Sequence, residues 1–111
     1  MTIKWVQVDP LVMNGEPFCY GSRLTVRQLL EMRRSGYDLT RILTDQPELR
    51  RLGIAFAYCY AADHPERYAE FLRPDGSLTG PGFSESESAG LPPELQRPGV
   101  VIDPGAAVIR G

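Results

Sequence analysis

The spacing of apolar residues changes along the chain, and each change predicts a different element. Ile3-Lys4-Trp5-Val6-Gln7-Val8 is dense in β-branched and aromatic residues and predicts a strand, closed by Asp9-Pro10. Asn14-Gly15 predicts a turn, residues 17–20 a second short extended piece, and Gly21-Ser22 a turn into the first helix. From there the period becomes helical. Val26, Leu29, Leu30 and Tyr37 share one face, interrupted by Arg33 where the next apolar residue is expected. Thr25 with Gln28 three residues on forms a capping box, and Ser35-Gly36 stops the helix. Asp38 can cap a short second helix carrying Leu39, Ile42 and Leu43, which ends at Asp45-Gln46-Pro47.

A third helix is expected from about Glu48 or Arg50 to about Asp63. Leu49, Leu52, Phe56 and Tyr60 mark one stripe, but Ile54, Ala55, Ala57, Tyr58 and Cys59 make the helix apolar almost all round. Such a helix is buried on most sides. In so small a domain one layer of neighbours can hardly cover it, so Leu52, Phe56 and Tyr60 are expected at the interface of a symmetric homodimer. A further helical turn over residues 66–72 would face Tyr68, Phe71 and Leu72 inward.

After Arg73 the pattern breaks up. Most of the eleven glycines and ten prolines lie beyond that point, in a stretch of loop composition. This places a helical domain over residues 1–73 and a Gly/Pro/Ser-rich, irregular tail over residues 74–111. Within the tail, Val100, Val101, Ile102, Val108 and Ile109, with Leu91 and Leu95 before them, are the apolar anchors with which an extended arm would bind a protein partner. The alternative is that they fold back on their own domain or on a second copy.

Charge sharpens the picture. The net value of −2 conceals seven arginines against four acids over residues 20–51, and two arginines against five acids from residue 74 onward. A basic body with an acidic tail occurs in nucleic-acid binders and in proteins that handle basic partners. Arg23, Arg27, Arg34, Arg41, Arg50 and Arg51 are the candidate DNA contacts. They suit phosphates, which give affinity without sequence information. The body of the third helix offers no Arg, Lys, Asn or Gln beyond its start and cannot read base edges; an ordinary solvated arginine face is the competing reading. The longest uncharged run, residues 52–62, is far short of a membrane span. The N-terminal stretch lacks the basic patch and apolar run of a signal peptide, so a cytoplasmic protein with free thiols is expected.

Enzyme chemistry is poorly supplied. His64 is the single histidine, and it precedes Pro65 at a helix end. Cys19 and Cys59 with one histidine fall short of a four-ligand metal site. Gly80, Gly82 and Gly90 do not lead into the helix that a phosphate loop needs. No catalytic residue, cofactor or metal is expected.

Several of these residues resemble a known family. They are Asp9-Pro10, Gly15-Glu16-Pro17, Gly21-Ser22-Arg23-Leu24-Thr25-Val26, Leu29-Leu30, Gly36, Ile42-Leu43, Pro47-Glu48-Leu49, and Ile54 with Ala57 and Tyr60. Together they resemble the domain of unknown function 433 family, over about residues 6–62. Arg50 stands where the third helix of that family usually has a Thr or Ser cap, and Asn14 where a second glycine is common. The resemblance implies a small helix-turn-helix or winged-helix-like domain, mainly α with a short N-terminal β element. It further implies an antitoxin that binds a protein toxin, commonly a PIN-like ribonuclease encoded beside it, and its own operator. A DNA-binding regulator without a toxin and a dimeric protein-interaction adaptor are the alternatives.

Overall fold

The computed structural model of the chain describes residues 6–7, 17–19 and 24–103. Arg23, Val108 and Ile109 lie outside the described residues, as do most of the residues of the first expected strand. Strands β1 (Val6–Gln7) and β2 (Phe18–Cys19) pair antiparallel, Val6 opposite Cys19 and Gln7 opposite Phe18.

The helices follow in the expected order. In α1 (Val26–Arg34), Thr25 accepts the Gln28 amide N–H and Gln28 accepts from the Thr25 N–H, completing the capping box. Gly36, at φ +102°, takes the left-handed turn that ends the helix. Helix α2 (Leu39–Asp45) starts at Asp38, whose carboxylate accepts the Arg41 N–H at 2.9 Å. Helix α3 (Arg51–Asp63) has no side-chain cap at Arg50. Then come α4 (Pro65–Tyr68), a 3-10 turn (Ala69–Phe71), α5 (Glu85–Ser88) and a second 3-10 turn (Pro93–Leu95). The described part is mainly helical.

Helix α3 runs through the middle. It packs on α1, α4, both strands and the turn Pro93–Leu95, and Gly53, Ile54, Ala55, Ala57, Tyr58, Cys59 and Ala61 are all buried. The expectation that a second subunit must cover this helix is therefore corrected: the chain itself covers most of it, and Phe56 is the one large apolar side chain left exposed among the described residues.

The segment beyond residue 73 supplies part of that cover. Leu78, Phe83, Leu91, Leu95, Val100 and Val101 join the same buried cluster as Val26, Leu29, Leu30 and Ile54. Short backbone links hold the segment in place, including Leu78 N–H to Gly99 O, Phe83 N–H to Val101 O, Asp103 N–H to Phe83 O and Thr79 N–H to Phe71 O. The stretch around Gly80 and Gly82 threads between the end of α1 and residue 101. A Cβ on Gly80 would lie 2.0 Å from the Arg33 carbonyl oxygen, and one on Gly82 would lie 2.5 Å from that of Val101.

Arg33 explains why the apolar face of α1 is interrupted. Its side chain is fully buried, with the guanidinium carbon 4.5 Å from the Tyr58 ring centre. It donates to the carbonyl of Val100 and, at 3.4 Å, to that of Gly80. The residue that breaks the periodicity thus fastens the C-terminal segment to the helical body.

Candidate functional site

The turn over residues 73–77 and the turn over residues 96–100 face each other across an open groove of about 750 Å³. Its lining includes Ala62, Pro98 and Val100, with Arg73, Asp75, Ser77, Gln96 and Arg97 supplying polar groups. Each arginine is held from behind. Arg73 Nη1 donates to the Leu78 carbonyl at 3.0 Å and to Ser77 Oγ at 3.2 Å. Arg97 Nη1 donates to Asp63 Oδ1 at 3.0 Å. Burial works against the charge of Arg97, but Asp63 and Cys59 beside it more than offset this, and its pKa is raised. Asp75 accepts from the Ser77 N–H and hydroxyl, which hold its carboxyl below the usual range. The groove can therefore present two fixed cations and one carboxylate over a partly apolar lining. Arg73 and Arg97 are far apart in sequence and share no motif, so no spacing signal announced them.

The second surface is the outer side of α3. Phe56 is 40% exposed, while every other large apolar side chain among the described residues is at least partly covered. Leu52 and Tyr60, one helical turn to either side, are half-buried. The Tyr60 ring stacks on His64 with centroids 4.1 Å apart. The three residues expected at a dimer interface thus do share one side of α3.

The tail anchors are placed differently from their expectation. Val100 and Val101 are buried and Ile102 is half-buried. They are not waiting in an unpacked arm, because the Arg33 side chain and the Phe83 backbone already hold this stretch on the body.

The arginine set divides. Arg27 pairs with Glu70 at 2.7 Å, donates to the Arg67 carbonyl at 2.8 Å and lies over the Tyr68 and Phe71 rings. It acts as a strut between α1 and the turn after α4. Arg34 also lies over the Phe71 ring, 4.6 Å from its centre, and Arg41 lies 4.2 Å from that of Tyr37. Arg34, Arg41, Arg50 and Arg51 are exposed, and none has an ion-pair partner among the described residues.

The histidine and both cysteines are constrained by their surroundings. His64 Nδ1 lies 2.7 Å from the Tyr60 carbonyl oxygen. Both thiols are free and buried. Burial pushes Cys19 up to about 12 and also raises Cys59, against the pull of nearby Arg97. Thiols in that condition are poor nucleophiles at neutral pH. Among the described residues, no group of three His, Cys, Asp or Glu side chains could hold a metal ion, and no helix is long and apolar enough to cross a membrane.

A family model described as protein of unknown function (DUF433) matches residues 6–61, half of the chain. No curated protein and no solved structure matches it.

Proposed function

We propose that this chain, which belongs to the DUF433 family, is a non-enzymatic binding module of the antitoxin kind. It associates in the cytoplasm with a protein toxin, a PIN-like ribonuclease, and neutralises it by stoichiometric binding. The observation that carries the binding part of this reading is the groove with Arg73 and Arg97 at its edge over Ala62 and Val100. Guanidinium forks match carboxylates in planar, two-point contacts, so an acidic segment of the partner is the natural occupant. The antitoxin part draws on the family resemblance through Gly21-Ser22-Arg23-Leu24-Thr25-Val26. We read α2, the turn and α3 as a helix-turn-helix of the winged-helix-like kind that serves packing, since the side of α3 opposite Phe56 is spent in the core.

The test starts with the neighbouring reading frame. A PIN-like ribonuclease encoded there should co-purify with this chain and lose ribonuclease activity in its presence. Arg73→Glu should weaken that inhibition about tenfold or more. A toxin that is inhibited equally by wild type, Arg73→Glu and Arg97→Glu would move the docking site elsewhere. A neighbour that is neither bound nor inhibited would end the antitoxin reading.

A second reading has one specific observation in its favour. Arg34, Arg41, Arg50 and Arg51 are exposed without a carboxylate partner among the described residues, which leaves them free for phosphates and hence for sequence-neutral binding of DNA.

A further inference from the structure

We infer that the groove at Arg73 selects a single carboxylate with an aliphatic side chain close beside it, both on one extended segment of a partner protein, and rejects a run of acids. The inference rests on the docking role proposed above and narrows it. It begins with Arg73. The side chain is exposed, its Nη1 is fixed on the Leu78 carbonyl and on Ser77 Oγ, and it has no ion pair among the described residues. A guanidinium held in place by neutral acceptors keeps its charge and its remaining N–H groups for a carboxylate. Being already ordered, it loses little freedom when that carboxylate arrives.

Arg73 is also a shared wall. On one side lies the groove with Arg97; on the other lies a smaller hollow of about 400 Å³, which has Arg73 and Gly76 in common with the groove. Pro65, Ala69, Leu72 and Pro74 line the rest of the hollow, so Arg73 is the one polar side chain in it. Pro65, Ala69 and Pro74 are exposed and Leu72 is half-buried, which leaves apolar surface for a ligand to cover. Side chains two apart in an extended segment share a face at a spacing of about 7 Å. A carboxylate on Arg73 therefore sets its second neighbour over the adjoining hollow. The acids around the groove set the limit. Asp63 already takes Arg97 at 3.0 Å, and Asp75 lines the groove with its carboxylate on the Ser77 N–H and hydroxyl. One incoming carboxylate finds Arg73 unpaired, whereas further acids meet Asp63 and Asp75, an arrangement that discriminates by repulsion.

The test is a titration of the isotope-labelled full chain with the capped peptide acetyl-Gly-Leu-Ser-Glu-Ser-Leu-Gly-amide, followed by amide chemical shifts. A leucine on each side of the glutamate presents the aliphatic group whichever way the peptide runs. Shifts are expected at Gly76, Ser77 and Gly99 in the groove and at Ala69 and Leu72 in the hollow. Arg73→Gln should raise the Kd about tenfold and Ala69→Gln about fivefold, both with unchanged circular dichroism, since both side chains are exposed. Peptides with both leucines replaced by serine, or both by glutamate, should bind wild type about fivefold more weakly. Ala69→Gln should make no difference to the serine peptide, because the coupling then has no side chain to act through. Equal affinity for the leucine and serine peptides, tighter binding of the all-glutamate one, or indifference to Ala69→Gln would overturn the inference and leave the groove as a docking site. No binding of any peptide up to about 10 mM, or binding indifferent to Arg73→Gln, would overturn both.

Discussion

Arg33 and Tyr58 form a buried cation–aromatic pair, the guanidinium carbon lying 4.5 Å from the ring centre, with the Phe83 ring edge-on to Tyr58 at 6.1 Å between centroids. Burial lowers the pKa of Arg33, while Tyr58 and Asp103 favour its charged form. A desolvated cation is stabilising in such a place only if its acceptors are present, and the acceptors here are backbone carbonyls at Gly80 and Val100. Arg33→Ala should leave a cavity and two carbonyls without this donor, at a cost of about 3–5 kcal/mol. Arg33→Met, which refills most of the volume without a charge to desolvate, should cost less. Urea unfolding of the three proteins checks the order.

The glycines divide in the same region. Gly80→Ala and Gly82→Ala would press a methyl group against the backbone of Arg33 and Val101. Each is expected to destabilise the chain by about 2–4 kcal/mol. Gly36→Ala meets open space and carries only the strain of its positive φ, about 1 kcal/mol. Equal losses at the three positions would contradict the close approach of residues 80–82 to α1.

Alkaline pH should unfold the chain. Cys19 has its folded pKa raised from 9.0 to about 12, and Tyr58 is also pushed up by burial, although Arg33 pulls it back in part. A group with a raised folded pKa gives its full stability below the unfolded value and loses it as pH climbs toward the folded value. For Cys19 that window runs from about 9 to about 12, at up to about 1.4 kcal/mol per pH unit. Cys19→Ala should flatten the decline in thermal midpoint between pH 9 and 11. An unchanged slope would show that the thiol is not the group responsible.

If nucleic acid is a partner, Arg34, Arg41, Arg50 and Arg51 should carry it and Arg27 should not. Arg27 already serves Glu70 and the Arg67 carbonyl. Affinity for duplex DNA should fall steeply with salt. Arg41→Ala should weaken all sequences alike, and Arg27→Ala should register first as lost thermal stability. A preference for one sequence that survives Arg41→Ala would place the reading surface elsewhere.

Much of the helical body was legible in the sequence because its signals are local. Thr25 with Gln28, Asp38, Pro47 and Gly36 mark ends through side-chain and backbone geometry within a few residues, and α1, α2 and α3 begin and stop close to where those residues place them. In sequence the segment after Arg73 fits either a partner-binding arm or a stretch that folds back, because its cover is non-local. Nothing near Val101 in sequence reveals that Phe83 and Arg33 receive it. One local signal lies there, in that Ser84 with Glu87 forms a capping box that starts α5. Arg33 looked like a flaw in an apolar stripe. Only the carbonyls of residues 80 and 100, supplied from far along the chain, turn it into a core residue. For the same reason, Arg73 and Arg97 became a candidate site only once two distant turns stood side by side.

The tie between Arg33 and the Val100 carbonyl also bears on how the protein is born. The ribosome makes α1, α2 and α3 well before it makes residue 100, and the contacts that close over Arg33 and Tyr58 come from that late stretch. The nascent helical body therefore emerges with its central arginine lacking the Gly80 and Val100 acceptors and one side of α3 uncovered, in the condition that attracts chaperones and proteases. Folding of this body can finish only after residue 101 has been made, when Val100 and Val101 arrive to shut the core. A chain broken off before Val100 would thus lack the residues that close the core over Arg33.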